Sequence, residues 1–206
     1  MTGMATSVKN IIFDLGGVLL GIDAQRSIKA FEDLGMPQLI KAGGWGYNHP
    51  VFLDMEAGKL TDDEFRNGIR QLLPKQVEND EIDAAWCAMI LNYFPERIEL
   101  INRLSKDYRV YLFSNTNAIH IRHFHGLFSQ TFGHSLSDLF VKDYYSSEIG
   151  LRKPAIESFN YVLNDAGLKA EETLFVDDSD ANVESAKKTG MSTIWLTPES
   201  DLLSFF

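Results

Sequence analysis

The second half of the chain contains short apolar runs separated by turn signals or amphipathic segments. From residue 108 onward the runs are RVYLFS, YYSSEIG, TLFVDD and STIWLT, and a first run of the same kind covers residues 8–13. The runs are rich in β-branched and aromatic residues, which is typical of strands. Strands that alternate with helices predict an α/β fold with a parallel sheet, covered on both faces and joined by right-handed crossovers.

Residues 23–104 have a different pattern, which predicts helix almost throughout. In TDDEFRNGIRQLL, Thr61 and Glu64 form a capping box. The same helix has four apolar residues on one face, namely Phe65, Ile69, Leu72 and Leu73. PERIELINRLSKD predicts a helix with Pro95 in its first turn, and ENDEIDAAWCAMIL predicts another that opens with acidic residues.

Polar residues stand directly behind several of the predicted strands. Asp14 follows the first strand, Ser114 and Asn115 end the second, and Asp177 and Asp178 end a later one. In parallel α/β sheets, ligands bind at the carboxyl ends of the strands. Two adjacent carboxylates repel each other unless a cation lies near them. The pattern therefore predicts a polar site with a cation at this edge of the sheet.

Composition narrows the class of protein. Of 206 residues, 45% are hydrophobic and 23% charged, which is ordinary for a folded globular chain. The formal net charge of -10 argues against binding nucleic acid or anionic lipid, because both require clustered Lys and Arg. We expect no membrane span and no secretory signal, and a single cysteine, Cys87, that is buried and unpaired. A cytoplasmic location is the resulting expectation.

Four segments in order, FDLGGV, LFSNTN, GLRKP and LFVDDSDAN, resemble the four motifs of the haloacid dehalogenase-like (HAD) hydrolase superfamily. The sequences of these segments are most similar to those of the branch that includes bacterial sugar-1-phosphate phosphatases. The resemblance implies a Rossmann-like three-layer core formed by residues 1–20 and 105–206, with a mostly helical cap at residues 21–104 inserted after the first strand. It also implies a Mg²⁺-dependent phosphatase that forms an aspartyl-phosphate.

The resemblance assigns roles to particular residues. Asp14 is expected to be the nucleophile, and Lys153 to offset the repulsion between its carboxylate and the phosphate. The expected phosphate ligands are Ser114, Lys153 and the backbone amides of Asn115 and Thr116. The expected metal ligands are oxygen atoms of Asp14, Gly16, Asp177 and Asp178.

Gly16 departs from the family pattern. Family members usually carry a second aspartate there, whose carbonyl binds the metal and whose side chain is the general acid and base. Gly16 retains only the carbonyl. Acid-base assistance contributes about 10²- to 10⁴-fold, so we expect a slower enzyme that favours good leaving groups. Our hypothesis is that Asp23 or Asp177 partly replaces the missing group.

Several alternatives stay open at this stage. A second candidate is a protein that binds phosphorylated metabolites or a partner protein with little turnover, and a 2-haloacid dehalogenase is a third. His120 and His123 are one helical turn apart, but we favour a structural role over a zinc site because no further ligands lie nearby in sequence. GGWGYNHP, with Trp45 and Tyr47, is either a substrate-facing loop or an irregular link. No protein partner is indicated.

Overall fold

The computed structural model describes residues 8–36 and 49–206. The strands within these ranges are β1 (Asn10–Phe13), β2 (Leu20–Ile22), β3 (Ile90–Tyr93), β4 (Arg109–Ser114), β5 (Lys142–Tyr145), β6 (Thr173–Asp177) and β7 (Ser192–Trp195). The helices are α1 (Ala24–Asp33), α2 (Pro50–Glu56), α3 (Asp62–Gln71), α4 (Asn79–Cys87), α5 (Pro95–Leu104), α6 (Ala118–Phe132), α7 (Ser146–Ile149), α8 (Ile156–Asp165) and α9 (Asp180–Lys187). None of these helices is long and apolar enough to cross a bilayer.

A five-stranded parallel sheet forms the core, in the order β5-β4-β1-β6-β7. The central strand β1 is buried along its whole length, as an uninterrupted apolar run predicts. Its side chains alternate between two apolar clusters. Ile11 and Phe13 pack on one face with residues of α5 and α6, while Ile12 packs on the other with residues of α8 and α9. The sheet is therefore the middle of three layers.

A separate apolar cluster is built from the helices between β2 and β3. Phe31, Phe52, Phe65 and Trp86 form its centre, with ring centroids 4.9–6.4 Å apart. Ile119 of α6 also joins it, so the helical unit rests on the core at that helix. Aromatic pairs at these separations stabilise packing beyond the area that they bury.

The α/β fold class with a parallel sheet is confirmed, and so are the local signals of two helices. Thr61 and Glu64 form the predicted capping box, and Pro95 begins α5. Leu72 lies beyond the end of α3 and is exposed, contrary to its place on the predicted apolar face.

The predicted run of helices is interrupted by a strand. The helix expected over ENDEIDAAWCAMIL ends at Cys87, and β3 pairs antiparallel with β2. Pairing with a segment about 70 residues earlier is a tertiary effect, which overrides local helical preference. The segment with Trp45 and Tyr47 lies outside the described residues.

The division into a core and a cap at residues 21–104 stays a prediction. Helix α5 falls inside that range, yet its buried residues Ile98, Ile101 and Leu104 belong to the apolar cluster on the sheet. We therefore propose that the cap ends near β3, and that α5 is part of the core.

Candidate active site

A cavity of about 540 Å³ opens at the carboxyl ends of β1, β4 and β6. Its lining includes the predicted site residues Asp14, Gly16, Ser114, Asn115, Lys153 and Asp178. The parallel register explains this grouping, because β1 pairs with both β4 and β6 and all three strands end at the same edge. Residues that are up to 164 positions apart in sequence meet there as a result.

Lys153 connects two of the acidic residues. Its Nζ donates to Asp14 Oδ1 and to Asp177 Oδ2, both at 2.7 Å, and to the carbonyl oxygen of Phe113 at 2.9 Å. Lys153 is 2% exposed and Asp177 is fully buried. A buried lysine requires such partners, since an unpaired buried charge is strongly unfavourable. All three protons of the ammonium group are used.

Burial and neighbouring charge change the acidity of this group of residues. Burial raises the pKa of Asp14 to about 7. The charge of Lys153 lowers this pKa, whereas the charges of Asp177 and Asp178 raise it. Burial alone would lower the pKa of Lys153, but the adjacent Asp14 and Asp177 raise it, so the lysine stays charged. A cation at the acidic group would lower the pKa of Asp14 by the same electrostatics.

Asp177 is held in place by its surroundings. Besides Lys153, its carboxylate accepts the backbone N–H of Ser179 at 2.8 Å and the side-chain amide of Asn182 at 3.0 and 3.1 Å. Both oxygens are therefore occupied. Ser179 is also the residue that precedes α9, which begins at Asp180.

Asp14, Asp177 and Asp178 form a group that fits a divalent cation. Each offers one carboxylate oxygen, and these oxygens all lie within 4.8 Å of one another. Hard oxygen donors are the ligands that Mg²⁺ prefers, usually one or two carboxylates completed by water and phosphate. Among the described residues, no other group of three histidines, cysteines and acids meets this criterion. Asp178 is the exposed member.

The loop after β1 is shaped to approach Asp178 closely. Gly17 has φ of +74°, and a Cβ at this position would lie 2.1 Å from Asp178 Oδ2. Only glycine satisfies both conditions. Arg97 of α5 donates to the carbonyl oxygens of Gly17 and Val18 at 3.2 and 2.7 Å, and these hydrogen bonds stabilise the conformation of the loop.

The loop after β4 differs in part from the prediction. Ser114 and Asn115 line the cavity, but the backbone N–H of Thr116 donates to Ser146 Oγ at 2.9 Å and is not free for a phosphate. The Asn115 side chain has a role that the sequence did not reveal. It donates to the Lys153 carbonyl at 2.8 Å and accepts from the Lys153 N–H at 2.9 Å, so it fixes the backbone of the lysine.

Neither of the two residues proposed to replace the missing acid is placed to do so. Asp23 is the N-cap of α1, where it accepts from the Gln25 N–H at 3.1 Å, and it does not line the cavity. Asp177 is fully engaged, as described above. At Gly16 itself, a Cβ would lie 3.0 Å from Ile22 Cγ1, so the side chain of Ile22 occupies the adjacent space.

The remaining lining of the cavity combines apolar and polar side chains. Leu20, Ile22, Met89, Ile90 and Phe124 supply apolar surface. Its polar side chains include Glu56, His120 and Arg152. Arg152 forms an ion pair with the buried Glu56 at 2.5 Å. Burial raises the pKa of Glu56, against the influence of Arg152.

His120 has the structural role that the sequence favoured. It is buried, its Nε2 lies 3.0 Å from the carbonyl oxygen of Trp86, and its ring stacks on that of Trp86 at 4.4 Å. Burial lowers the pKa of His120 to about 4, so the imidazole is neutral at pH 7. Cys87 is buried and unpaired, as predicted, and burial raises its pKa to about 12.

Sequence reasoning missed Glu56, Arg152 and Arg97. Arg152 directly precedes the predicted lysine, but a single arginine gives no signal about its partner. Glu56 lies about 100 residues earlier, at the end of α2. Only the folded arrangement brings the two together.

A buried lysine between two aspartates, next to a third carboxylate at the end of a parallel sheet, defines a site for an anionic substrate and a divalent cation. The model of the haloacid dehalogenase-like hydrolases matches residues 8–190, and the chain belongs to this family.

Individual relatives agree with this assignment. The chain is 33% identical over 186 residues to D-ribitol-5-phosphate phosphatase from Bacteroides thetaiotaomicron, covering 90% of each chain. It is 32% identical over 199 residues to a sesquiterpene phosphatase from Aspergillus oryzae, covering 94% of this chain and 92% of the relative. A HAD family enzyme from Bacteroides thetaiotaomicron, solved in complex with magnesium and inorganic phosphate, has a TM-score of 0.86 and 34% identity. The match covers 97% of this chain and 99% of that one.

These comparisons confirm the predicted superfamily, the similarity to its sugar phosphatases, the hydrolase class with phosphatase chemistry, and magnesium as the cofactor. They provide no support for a binding-only protein or a dehalogenase. The roles of individual residues remain predictions.

Proposed function

We propose that the protein is a Mg²⁺-dependent phosphomonoesterase that hydrolyses a small polyol or sugar phosphate through a covalent intermediate on Asp14. The observation that carries this proposal is the contact of Lys153 with Asp14 and Asp177 beside the group of three carboxylates. The similarity to a ribitol-5-phosphate phosphatase supports the substrate class. A cytoplasmic location is part of the proposal, as is the absence of nucleic-acid substrates, given the net charge of -10.

In the first step, a carboxylate oxygen of Asp14 attacks phosphorus, the bond from phosphorus to the ester oxygen breaks, and the alcohol leaves after taking a proton from water. In the second step, water attacks phosphorus, the bond to Asp14 breaks, and inorganic phosphate is released with the carboxylate restored. The proton that the attacking water loses neutralises the hydroxide formed when the alcohol took its proton in the first step. Lys153 stays protonated throughout. It orients Asp14 and offsets the repulsion between the carboxylate and the phosphate.

The remaining groups hold the phosphate and the cation. Asp14, Asp178 and the carbonyl oxygen of Gly16 are the proposed metal ligands, with Asp177 behind them as the group that fixes Lys153 and the start of α9. When bound there, Mg²⁺ supplies positive charge to the phosphoryl oxygens. Ser114 and the backbone at Asn115 are proposed to donate to the phosphoryl oxygens.

The absence of an acid at Gly16 shapes the expected activity. We place the leaving alcohol beside Gly16 and Ile22, which line the cavity, and neither residue can donate a proton from its side chain. Positioning and electrostatics provide most of the rate enhancement in phosphoryl transfer. We therefore expect measurable turnover, with rates that rise steeply as the leaving alcohol becomes more acidic.

Phosphate release across a panel of esters tests the proposal. The panel contains ribitol 5-phosphate, a hexose 1-phosphate, a hexose 6-phosphate, a prenyl monophosphate and p-nitrophenyl phosphate, each with Mg²⁺ and with a chelator. We expect Mg²⁺-dependent release, with the polyol and sugar phosphates preferred over the prenyl phosphate among the biological esters.

Two outcomes would contradict the proposal. If no ester releases phosphate, yet inorganic phosphate binds tightly in the presence of Mg²⁺, the protein is a binding protein. If a 2-haloacid releases halide and chelator has no effect, the nucleophile attacks carbon and the enzyme is a dehalogenase.

A further inference from the structure

Glu56 of the predicted cap contacts two loops of the site at once. We define the phosphate loop as residues 114–116 and the lysine loop as residues 150–154. Glu56 is the last residue of α2 and is 5% exposed. Its carboxylate accepts from the guanidinium of Arg152 at 2.5 Å, which ties it to the lysine loop one residue before Lys153.

The backbone of the same residue is linked to the phosphate loop. Ser146 Oγ lies 2.8 Å from the carbonyl oxygen of Glu56 and 3.1 Å from that of Thr116, and its single proton can serve either acceptor. The same hydroxyl oxygen accepts the N–H of Thr116 at 2.9 Å. Ser146 is fully buried. One hydroxyl group thus connects the end of α2 with the loop that follows β4.

The turn after α2 is in direct backbone contact with the core. Gly58 has φ of +69°, and a Cβ there would lie 2.0 Å from the carbonyl oxygen of Ser147. A side chain would push the two backbones apart. This close approach keeps Glu56, two residues before Gly58, next to the core, where it contacts both loops.

The two loops are also linked to each other. The Asn115 side chain donates to the Lys153 carbonyl and accepts from the Lys153 N–H, and the ammonium of Lys153 in turn holds Asp14. A displacement of Arg152 is therefore transmitted to the lysine that orients the nucleophile. In contrast, the ion pair between Asp62 of α3 and Arg122 of α6 also joins the helical unit to the core, but neither residue lines the cavity.

We propose that Glu56 is a positioning residue, which makes the geometry of the phosphate loop and the lysine loop depend on the docked position of the cap. The inference rests on the proposed function for its kinetic consequences, since the loops act on phosphate. Glu56 does not touch the reacting atoms. It stabilises the arrangement of Arg152 and Ser146, and through them the residues that do.

Kinetics of Glu56→Gln test this proposal with two substrates, ribitol 5-phosphate and acetyl phosphate, whose leaving groups share no features. We expect kcat to fall about 10- to 100-fold for both, with KM changed by less than about threefold, as for loss of a hydrogen bond to a charged group. Arg152→Gln removes the other partner of the ion pair and should lower kcat by a similar factor. The double variant should be no slower than either single variant, because both changes break the same link.

Asp62→Asn is the matched control, since it removes a cap-to-core ion pair remote from the cavity. We expect its kcat to stay within about twofold of that of the parent. Hydrogen exchange in the presence of Mg²⁺ gives a readout that does not depend on turnover. Amides in the two loops should exchange faster in Glu56→Gln than in the parent, and at the parental rate in Asp62→Asn.

If Glu56→Gln raises KM for ribitol 5-phosphate and leaves the kinetics with acetyl phosphate unchanged, the proposal is overturned. Glu56 would then recognise the leaving group directly. Equal effects of Glu56→Gln and Asp62→Asn in both readouts would also overturn it, in favour of general docking of the cap. If the unaltered protein hydrolyses no ester, the proposed function fails. The exchange comparison still decides whether Glu56 positions the loops.

Discussion

The two ends of the cavity are built in opposite ways. At the phosphate end, Asp14, Lys153 and Asp177 are buried and joined by hydrogen bonds of 2.7 Å. The rest of the lining, which we assign to the leaving group, combines apolar side chains with one ion pair, and Ile22 occupies the space beside Gly16. The first end is fixed by the sheet, whereas the second is supplied mostly by segments outside it.

We infer from this difference that the charged end carries out phosphoryl transfer, whereas the other end selects the substrate. In the proposed function, the charged end contacts only the phosphoryl group and the cation, so it would not distinguish one ester from another. The apolar side chains at the other end make no hydrogen bond to the charged group, so they can change more freely than the Glu56–Arg152 pair. The two phosphatase relatives, one acting on a polyol phosphate and one named for a sesquiterpene, are compatible with such a division. The predictions below test each end separately.

The largest effect is expected at Asp14. Asp14→Asn replaces the nucleophile with an amide of the same shape, so kcat should fall by about 10⁴-fold or more. Steady-state phosphate release measures this. Ser137→Ala, which changes a residue away from the cavity, should retain activity. A loss of less than tenfold for Asp14→Asn would mean that another group attacks phosphorus.

Lys153→Met should affect both activity and stability. The change leaves Asp14 and Asp177 buried without their shared cation, and breaking a buried pair of this kind costs about 3–5 kcal/mol. Denaturant unfolding without Mg²⁺ measures the cost. Lys187→Met is the control, because its partner Glu184 is half-exposed and such pairs contribute less than about 1 kcal/mol. Similar costs for the two variants would contradict the buried network.

Restoring the missing acid should require two changes. Gly16→Asp alone brings its Cβ to 3.0 Å from Ile22, so we expect little gain. Combined with Ile22→Ala, the aspartate should raise kcat for ribitol 5-phosphate by about 10- to 100-fold, at or below the low end of typical acid-base effects. p-Nitrophenyl phosphate should gain less than threefold, since its leaving group needs no proton. An equal gain for both esters would show that the aspartate acts in another way.

Gly17→Ala should weaken magnesium binding. The added Cβ would lie 2.1 Å from Asp178 Oδ2, so the carboxylate must move, and we expect Mg²⁺ affinity to fall by at least about tenfold. Gly133→Ala is a close control, with φ of +79° but nothing within 4 Å of its Cβ. Both variants should lose about 1 kcal/mol of stability from the positive φ. Calorimetry should find unchanged Mg²⁺ affinity for the control; a tenfold loss there too would refute the steric explanation.

The last prediction concerns stability, not activity, and involves His120 in the cavity lining. Burial holds its pKa near 4 in the folded protein, against about 6.5 in the unfolded chain. Between these values the unfolded chain binds the extra proton, so this contribution to stability is present above about pH 6.5 and is lost as the pH falls toward 4. From pH 7 to pH 5 the loss should be about 2 kcal/mol.

The corresponding measurement compares unfolding free energies at pH 7 and pH 5. His120→Gln should lose less stability on acidification than the parent, because the titrating group is gone. The exposed His134 provides the control, and His134→Gln should behave like the parent. If His120→Gln shows the full parental loss, the imidazole is not held neutral in the folded protein.

The sequence predicted the charged end of the cavity well, for a physical reason. Asp14, Ser114 and Asp177 each stand at the end of an apolar run, so they are located as soon as the strands are recognised. Parallel pairing then brings the strand ends together without further information. Lys153 needed the resemblance to the family, because a lysine before a proline has no distinctive local pattern.

The sequence revealed less of the other end, because its contacts join distant segments. Glu56 and Arg152 are 96 positions apart, and no local periodicity marks either of them. The pairing of β2 with β3 was missed for the same reason. The second function of Asn115, which fixes the backbone of Lys153, arises only from the folded arrangement.

The stereochemistry at phosphorus tests the central claim most directly. A ribitol 5-phosphate made chiral with oxygen isotopes is hydrolysed in water that carries the third isotope, and the configuration of the inorganic phosphate is determined. Two successive in-line displacements, first by Asp14 and then by water, predict overall retention. Inversion would contradict the account, because water would then attack the ester in one step and Asp14 would not be the nucleophile.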